Sequence, residues 1–341
     1  MPLVYEGKTI NKKIYNNLSP SEYSFFVESI FRYYRNNGFP FINFSKEKRN
    51  LKFQKLRNYT TQLILDQTII QRMEGLSLAW HYFPHVWNIP VNGISHTPMD
   101  VFNDDTLFQS AIRKRLKFGD NISDNGIRKA LMVFGTQRVS NFRPTAARAI
   151  YHRYLPHGGI TWDMSCGFGG RLLGALSLSN IQYIGTDPCA ITVQGLQDII
   201  ADFDKLNKAT IYPLGSEIWC PEKQSLDLCF TSPPYFNMER YSEEPSQSYK
   251  KFETPQLWLN GFLRKTIQNC YFGLKNGCFM IINIANVKTY PNLVSDTITV
   301  AQEEGFVLHE TLRLMLSKVP SVHGSEKITH KFEPVLVFRK M

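Results

Sequence analysis

The stretch ITWDMSCGFGGRLLGALSLSNIQYIGTD, residues 160–187, holds two short apolar runs joined by a glycine-rich loop and a helical segment. Ile160–Trp162 and Gln182–Thr186 read as strands, and residues 170–179 between them as a helix. The loop Asp163-Met-Ser-Cys-Gly167-Phe-Gly169-Gly170-Arg171 follows a strand and opens a helix, where glycine lets backbone approach a ligand closely. It is not the dinucleotide fingerprint, because Leu172 stands where a third glycine belongs. Asp187 ends the second strand, about 20 residues beyond the loop, where an acidic side chain can accept hydrogen bonds from ribose hydroxyls. Each feature has a plainer explanation, an unliganded glycine turn and a helix-capping Asp. Together they read as one nucleoside-binding βαβ half-fold.

Working outward, the same rhythm continues. Ala209–Pro213, Leu226–Phe230 and Cys278–Ile284 read as further strands, with helical stretches near 190–206 and 255–273. Such alternation specifies an α/β fold with a parallel, doubly wound sheet. Val307–Leu316 and Phe332–Arg339 have no helix between them and are expected to form an antiparallel hairpin at one sheet edge. Residues 1–130 read instead as a mostly helical module. Ser19-Pro20 with Glu22 opens a helix that Asn37-Gly38 closes, and Thr60 to Tyr82 carries Leu63, Ile64, Ile70, Met73 and Leu76 at helical spacing. A third helix is expected from Asp104–Thr106, with Phe108, Ile112 and Leu116 on one stripe and Gly119 as its stop. The chain is thus divided into 1–130 and 131–341.

Bulk properties narrow the function classes. Hydrophobic residues at 43% and charged residues at 20% exclude a disordered or fibrous chain. No segment approaches the roughly 20 apolar residues of a membrane span, and the amino terminus lacks a leader pattern, so a cytoplasmic protein is expected. Six cysteines without a CxxC pair suggest free, buried thiols and no structural metal. The net charge of +10 suggests a polyanionic partner, and its excess lies early. Residues 1–130 hold 18 Lys and Arg against 11 Asp and Glu, whereas residues 131–341 hold 21 against 18. Two basic runs, Lys46–Arg57 and Arg113–Lys117, are candidate nucleic-acid contacts or else solvated helix faces.

Thr231-Ser232-Pro233-Pro234-Tyr235 carries the chemistry. Two prolines cannot continue a ladder, so the chain leaves the sheet after Phe230, at the strand ends where ligands bind in such folds. Pro234 restricts Pro233 and fixes its carbonyl. Ser232 and that carbonyl can both accept hydrogen bonds from one NH₂ group, while Tyr235 offers a flat face for stacking a base. An exocyclic amine on an aromatic ring is a poor nucleophile, and two acceptors on its N–H bonds accommodate the positive charge that develops during attack.

Three segments resemble the amino-methyltransferases that modify cytosine N4 or adenine N6 in DNA. Asn141-Phe142-Arg143-Pro144-Thr145 before a helix is similar to the segment over the methionine end of the cofactor. Asp163 to Gly169 is similar to the family's D-P-F-x-G-x-G loop, with Met164 and Ser165 in place of Pro and Phe. Thr231 to Tyr235 resembles its catalytic (D/N/S)-P-P-(Y/F) motif. The resemblance covers about residues 135–341. It implies a Rossmann-like class I methyltransferase sheet and S-adenosylmethionine as cofactor. Phe142, Arg143, Pro144, Thr145, Asp163, Ser165, Gly167, Gly169, Asp187 and Ser216 would bind it, and Ser232, Pro233, Pro234 and Tyr235 would be catalytic. Ser216 stands where the family often has an Asp near the adenine ring.

The motif order is that of the unpermuted branches, which leaves residues 1–130 as the candidate target-recognition region on duplex DNA. Serine before the prolines favours cytosine N4 over adenine N6. A carbon-5 cytosine enzyme would need a Pro-Cys nucleophile after the fourth strand, whereas Pro188-Cys189 follows the second. An RNA or small-molecule methyltransferase, and an inactive nucleic-acid-binding fold, remain as alternatives. No nuclease motif is evident, so any restriction nuclease would be a separate protein.

Overall fold

The computed structural model describes residues 4–5, 8–9, 15–91, 93–118, 122–132, 136–316 and 331–341. Its contacts group the chain into two units, residues 1–43 with 84–140 and residues 44–83 with 141–341. This differs from a single division near residue 130, because residues 44–83 group with the second unit, where Ile64–Leu65 and Thr68–Ile69 pair into the sheet.

In the first unit, Val4–Tyr5 (β1) and Lys8–Thr9 (β2) pair antiparallel. Helices Pro20–Asn37, Pro98–Asn103, Asp105–Phe118 and Asp124–Leu131 make up most of the rest. The first opens on a capping box, Ser19 with Glu22, and closes at Gly38 with φ +78°. Ile30, Tyr34, Phe102, Phe108, Ile112 and Ile127 form the buried face. The Tyr34 hydroxyl donates to Asp124 at 3.0 Å, and Arg35 lies over the rings of Phe31, Phe102 and Phe108. Asp104 caps the third helix by accepting from the Leu107 amide at 2.8 Å. Gly119, its expected stop, lies outside the described residues.

The second unit is built on a nine-stranded mixed sheet. Its strands are Ile64–Leu65 (β3), Thr68–Ile69 (β4), Gly159–Asp163 (β5), Ile181–Thr186 (β6), Ala209–Tyr212 (β7), Leu226–Thr231 (β8), Leu274–Asn283 (β9), Phe306–Met315 (β10) and Phe332–Lys340 (β11). Their order is β3-β4-β10-β11-β9-β8-β5-β6-β7. β5 to β9 are parallel neighbours, and β11 enters antiparallel between β9 and β10. The α/β sheet and its carboxyl-terminal antiparallel hairpin are as expected from the sequence, but the hairpin is not at the sheet edge, because β4 and β3 add beyond β10. Strand order reverses between β5 and β8, the switch point at which such sheets open a crevice. The apolar runs are strands because both sheet faces are covered, and Trp162, Leu228, Cys229, Phe230, Ile281 and Val337 are fully buried.

Two expectations are corrected here. Residues 60–82 are not one helix. Asp66 and Gln67 adopt positive φ (45° and 62°) and turn the chain into the β3–β4 hairpin, so only Leu76–His81 is helical. The β-branched Thr61, Ile64, Thr68, Ile69 and Ile70 favour extended backbone, which outweighs the helical spacing of the apolar residues. Helices Lys46–Arg57 and Leu293–Glu303 also add to those expected. All six cysteines are free; Cys220 is exposed and Cys278 half-buried, rather than buried like the other four.

Candidate active site

A cavity opens at the carboxyl ends of β5, β6, β7 and β8, with about 590 Å³ of empty space, part of it open to solvent. The loop after β5 supplies Met164, Ser165, Gly167 and Phe168, and the turn after β6 supplies Asp187, Pro188 and Cys189. Gly215, Ser216 and Glu217 follow β7, while Ser232 and Pro234 follow β8. The remaining wall comes from Thr192 and from Tyr241, Ser246, Gln247, Ser248 and Phe262, downstream of the two prolines.

Asp163 organises this end of the sheet from behind the cavity wall. Its carboxylate is wholly buried and accepts from Arg171 Nε at 2.8 Å, the Tyr183 hydroxyl at 2.7 Å, Thr231 Oγ1 at 3.0 Å and the Ser165 amide at 3.3 Å. The last bond begins the turn of the glycine loop. Arg171 also donates to the Ser165 carbonyl, so one buried ion pair fixes both the loop and the carboxyl end of β8. Gly169 has φ +69°, and a Cβ there would meet Ile199 at 2.5 Å. At Gly170 a Cβ would lie 1.8 Å from the Phe142 carbonyl oxygen, so only glycine permits that approach.

Phe142 to Thr145 brace the loop from the same side as Gly170. The Phe142 ring meets Phe230 edge-on at 5.3 Å, and Asn141 Nδ2 donates to the Phe168 carbonyl at 2.8 Å. Thr145 Oγ1 is buried and pairs with the amide and carbonyl of Arg72, both at 3.2 Å. Pro144 begins the helix Pro144–Tyr154, where its missing N–H costs nothing. Burial lowers the Arg143 pKa.

Asp187 stands in the cavity at 9% exposure. Its carboxylate accepts from the Gly167 amide and the Cys189 amide, each at 3.0 Å, which ties the glycine loop to the tip of β6. Burial raises its pKa to about 6, against the opposing pull of those two amides. Ser216 Oγ shares a 2.8 Å hydrogen bond with Thr266, and Glu217 is held by Lys251 at 2.6 Å.

β8 ends at Thr231, and the two prolines turn the chain across the strand ends. Ser232 and Pro234 face the cavity, whereas the Tyr235 hydroxyl lies 3.5 Å from Asn283 Oδ1 and 3.4 Å from Glu333 Oε2, at the ends of β9 and β11. The Ser-Pro-Pro-Tyr segment therefore runs from the cavity wall at Ser232 and Pro234 to Tyr235, which sits beside the buried Asn283 and the half-buried Glu333. Burial raises the pKa of Tyr235 and of Glu333. A neutral phenol therefore stands beside a carboxyl whose charged form is disfavoured.

Of the residues expected in the site, Ser165, Gly167, Asp187, Ser216, Ser232 and Pro234 come together around the cavity. Phe142, Arg143, Pro144, Thr145, Asp163, Gly169, Pro233 and Tyr235 are not among its lining residues. Tyr241, Gln247 and Glu333 were not legible in the sequence, because they belong to no glycine, proline or acidic pattern at a strand end. The basic runs differ in their engagement. Arg49 is paired with Asp202 at 2.7 Å and Lys52 with Ser77 at 3.0 Å, while Lys46, Lys48, Lys55 and Arg57 are the exposed basic residues of that helix. Among the described residues, no group of His, Cys, Asp and Glu is placed to hold a metal, and no helix is long and apolar enough to cross a membrane.

Residues 226–341 match the family model described as DNA methylase, the N6 and N4 methyltransferases. The matched stretch begins at β8 and includes Thr231 to Tyr235, and it bears out the resemblance to the amino-methyltransferases. No curated protein matches the chain. Among solved structures, an S-adenosylmethionine-dependent O-methyltransferase from Thermotoga maritima is similar at 14% identity and TM-score 0.40, over 62% of this chain and 70% of that one. A TehB-like S-adenosylmethionine-dependent methyltransferase from Corynebacterium glutamicum is similar at 18% identity and TM-score 0.39, over 59% and 90%. Magnesium protoporphyrin IX methyltransferase from Synechocystis PCC 6803 is similar at 12% identity and TM-score 0.39, over 58% and 79%.

Proposed function

We propose that this DNA-methylase-like chain transfers a methyl group from S-adenosylmethionine to the exocyclic amine of a cytosine flipped out of duplex DNA. The observation that carries the reading is the Ser232-Pro233-Pro234-Tyr235 segment at the end of β8, with Ser232 and Pro234 in the cavity wall and Tyr235 beyond it beside Asn283 and Glu333. One side of the motif can face a cofactor and the other a base.

The cavity residues fit the cofactor. Asp187 is placed to accept from a ribose diol, and donation from two hydroxyls would favour its carboxylate form, which burial disfavours. Gly167 gives the backbone close access to the ligand's chain, and Ser216 closes the far end. When bound there, S-adenosylmethionine supplies an electrophilic methyl group. Ser232 Oγ and the Pro233 carbonyl accept the two N–H bonds of the target amine and stabilise the positive charge that grows on it. Tyr235 stacks on the flipped base, its hydroxyl steadied by Asn283 and Glu333. Serine at 232 favours cytosine N4 over adenine N6. Lys46, Lys55 and Arg57 offer phosphate contacts on one helix, and the run Arg113–Lys117 offers them on another.

Two measurements test this reading. Calorimetry with S-adenosylmethionine should show one site, weakened about tenfold or more by Asp187→Ala, the scale of a lost charged hydrogen bond. Methyl transfer to duplex DNA should be largely lost in Pro233→Ala and in Tyr235→Ala while cofactor binding persists. Full activity in both variants would remove the proposed catalytic loop.

A further inference from the structure

Gln247 belongs to no motif in the sequence and has no role in the chemistry above. It is nonetheless 5% exposed and lines the cavity. Its Nε2 is buried and has no hydrogen-bond partner among the described residues. Buried polar groups are nearly always paired, and an orphaned amide donor costs about 1–3 kcal/mol. Because Gln247 lines the cavity, a ligand there can supply the acceptor that this donor lacks.

The surroundings say which part of the ligand. Glu244 accepts from the Ala190 amide at 3.2 Å, and Ser246 Oγ donates to the Pro188 carbonyl at 3.2 Å. Ser248 Oγ accepts from the buried Trp258 Nε1 at 3.1 Å. These bonds pin residues 244–248 beside Pro188 and Cys189, immediately beyond Asp187. Cys189 and Phe262 are buried and present apolar surface to that part of the cavity, which Ser216 borders. A nucleoside whose ribose meets Asp187 sends its planar base between such walls, and the polar edge of the base then meets the carboxamide. A side-chain amide offers a donor and an acceptor side by side, the complement of a ring nitrogen next to an exocyclic amino group.

We infer that Gln247 reads the adenine edge of the nucleoside cofactor, so that the segment following the catalytic loop supplies the base specificity of the cofactor cavity. This rests on the proposed reading of the cavity as a site for S-adenosylmethionine. Gln247 Nε2 donates to a ring nitrogen of the adenine, and Ser246 and Glu244 hold the segment in place for it. The inference also gives residues 236–248 a second purpose. They connect the loop that receives the target base to the wall that recognises the cofactor.

The test is a calorimetric panel with the full chain: S-adenosylhomocysteine, its 1-deaza, 3-deaza and 7-deaza counterparts, and the inosyl analogue. Wild type should bind S-adenosylhomocysteine and lose about tenfold toward the deaza analogue that lacks the contacted nitrogen. Gln247→Met, similar in length but without a donor, should lose about tenfold toward S-adenosylhomocysteine and bind that analogue no worse. Thermal unfolding of the variant checks its fold. If the variant fails to fold, the wild-type panel still decides, since equal affinity for all five compounds overturns the inference. Unchanged affinity and unchanged discrimination in a folded Gln247→Met protein also overturn it. Failure of wild type to bind any adenosyl compound would instead overturn the cofactor reading beneath it.

Discussion

Asp163→Asn keeps the shape of the side chain and removes its charge. In the native protein this carboxylate accepts four hydrogen bonds, from Arg171, Tyr183, Thr231 and Ser165. The paired Arg171 side chain is 5% exposed and cannot turn to water. An amide offers one acceptor oxygen and sets N–H donors against groups that are themselves donors, so the guanidinium is left buried without its counter-charge. Breaking a buried pair from one side costs about 3–5 kcal/mol. Urea denaturation followed by tryptophan fluorescence, with Trp162 next in sequence as a reporter, should show a loss of that size. Adding Arg171→Met should recover part of it, because the uncompensated charge is then gone. The geometry assigns Asp163 to the support of the glycine loop rather than to the cavity, so affinity should fall only as the loop loosens. Stability within about 0.5 kcal/mol of wild type, together with abolished cofactor binding, would refute this and make Asp163 a direct ligand contact.

Asp187 gives a pH signature. Its folded pKa of about 6 lies above the ordinary 3.8, so its contribution to the stability of the ligand-free protein is fully present below pH 3.8 and is lost as pH rises through about 6. Cofactor affinity should run the other way, weakening as pH falls through about 6 and the carboxylate is protonated. Calorimetry across pH 5–8 should give a flat profile for Asp187→Asn, and a sloping one in that variant would place the titration elsewhere. Gly170→Ala should be severely destabilising, beyond the about 1–3 kcal/mol of ordinary overpacking, because the added methyl meets the Phe142 carbonyl backbone at 1.8 Å. A wild-type denaturation midpoint for that variant would show that residues 141–143 can move away freely.

What the sequence disclosed follows the range of the forces involved. All seven strands expected after residue 130 are present, because each is a short run rich in apolar residues set between helical or turn segments. Asp187, Gly167 and Ser232 were legible because a strand end, a glycine loop and a proline pair are local features with one structural meaning. Residues 60–82 were not, because Leu63, Ile70 and Met73 fit helical spacing while the deciding feature was the positive φ of Asp66 and Gln67. Their placement on the sheet rests on pairing of Thr68 with Arg313, a contact between distant parts of the chain that no local pattern announces. The Asp163–Arg171–Tyr183 network has the same character. Asp163 looked like a ligand residue in the motif, and only the folded packing shows its four acceptor sites already taken.

The central claim is methyl transfer to a cytosine amine in DNA, and nucleoside mass spectrometry tests it most directly. DNA from cells expressing the chain should contain N4-methylcytosine, and DNA from cells expressing Pro233→Ala should contain none. N6-methyladenine in its place would keep the amino-group mechanism and overturn the choice of base. Carbon-5 methylcytosine alone, or no modified base in DNA that the wild-type protein has been shown to bind along with its cofactor, would contradict the account.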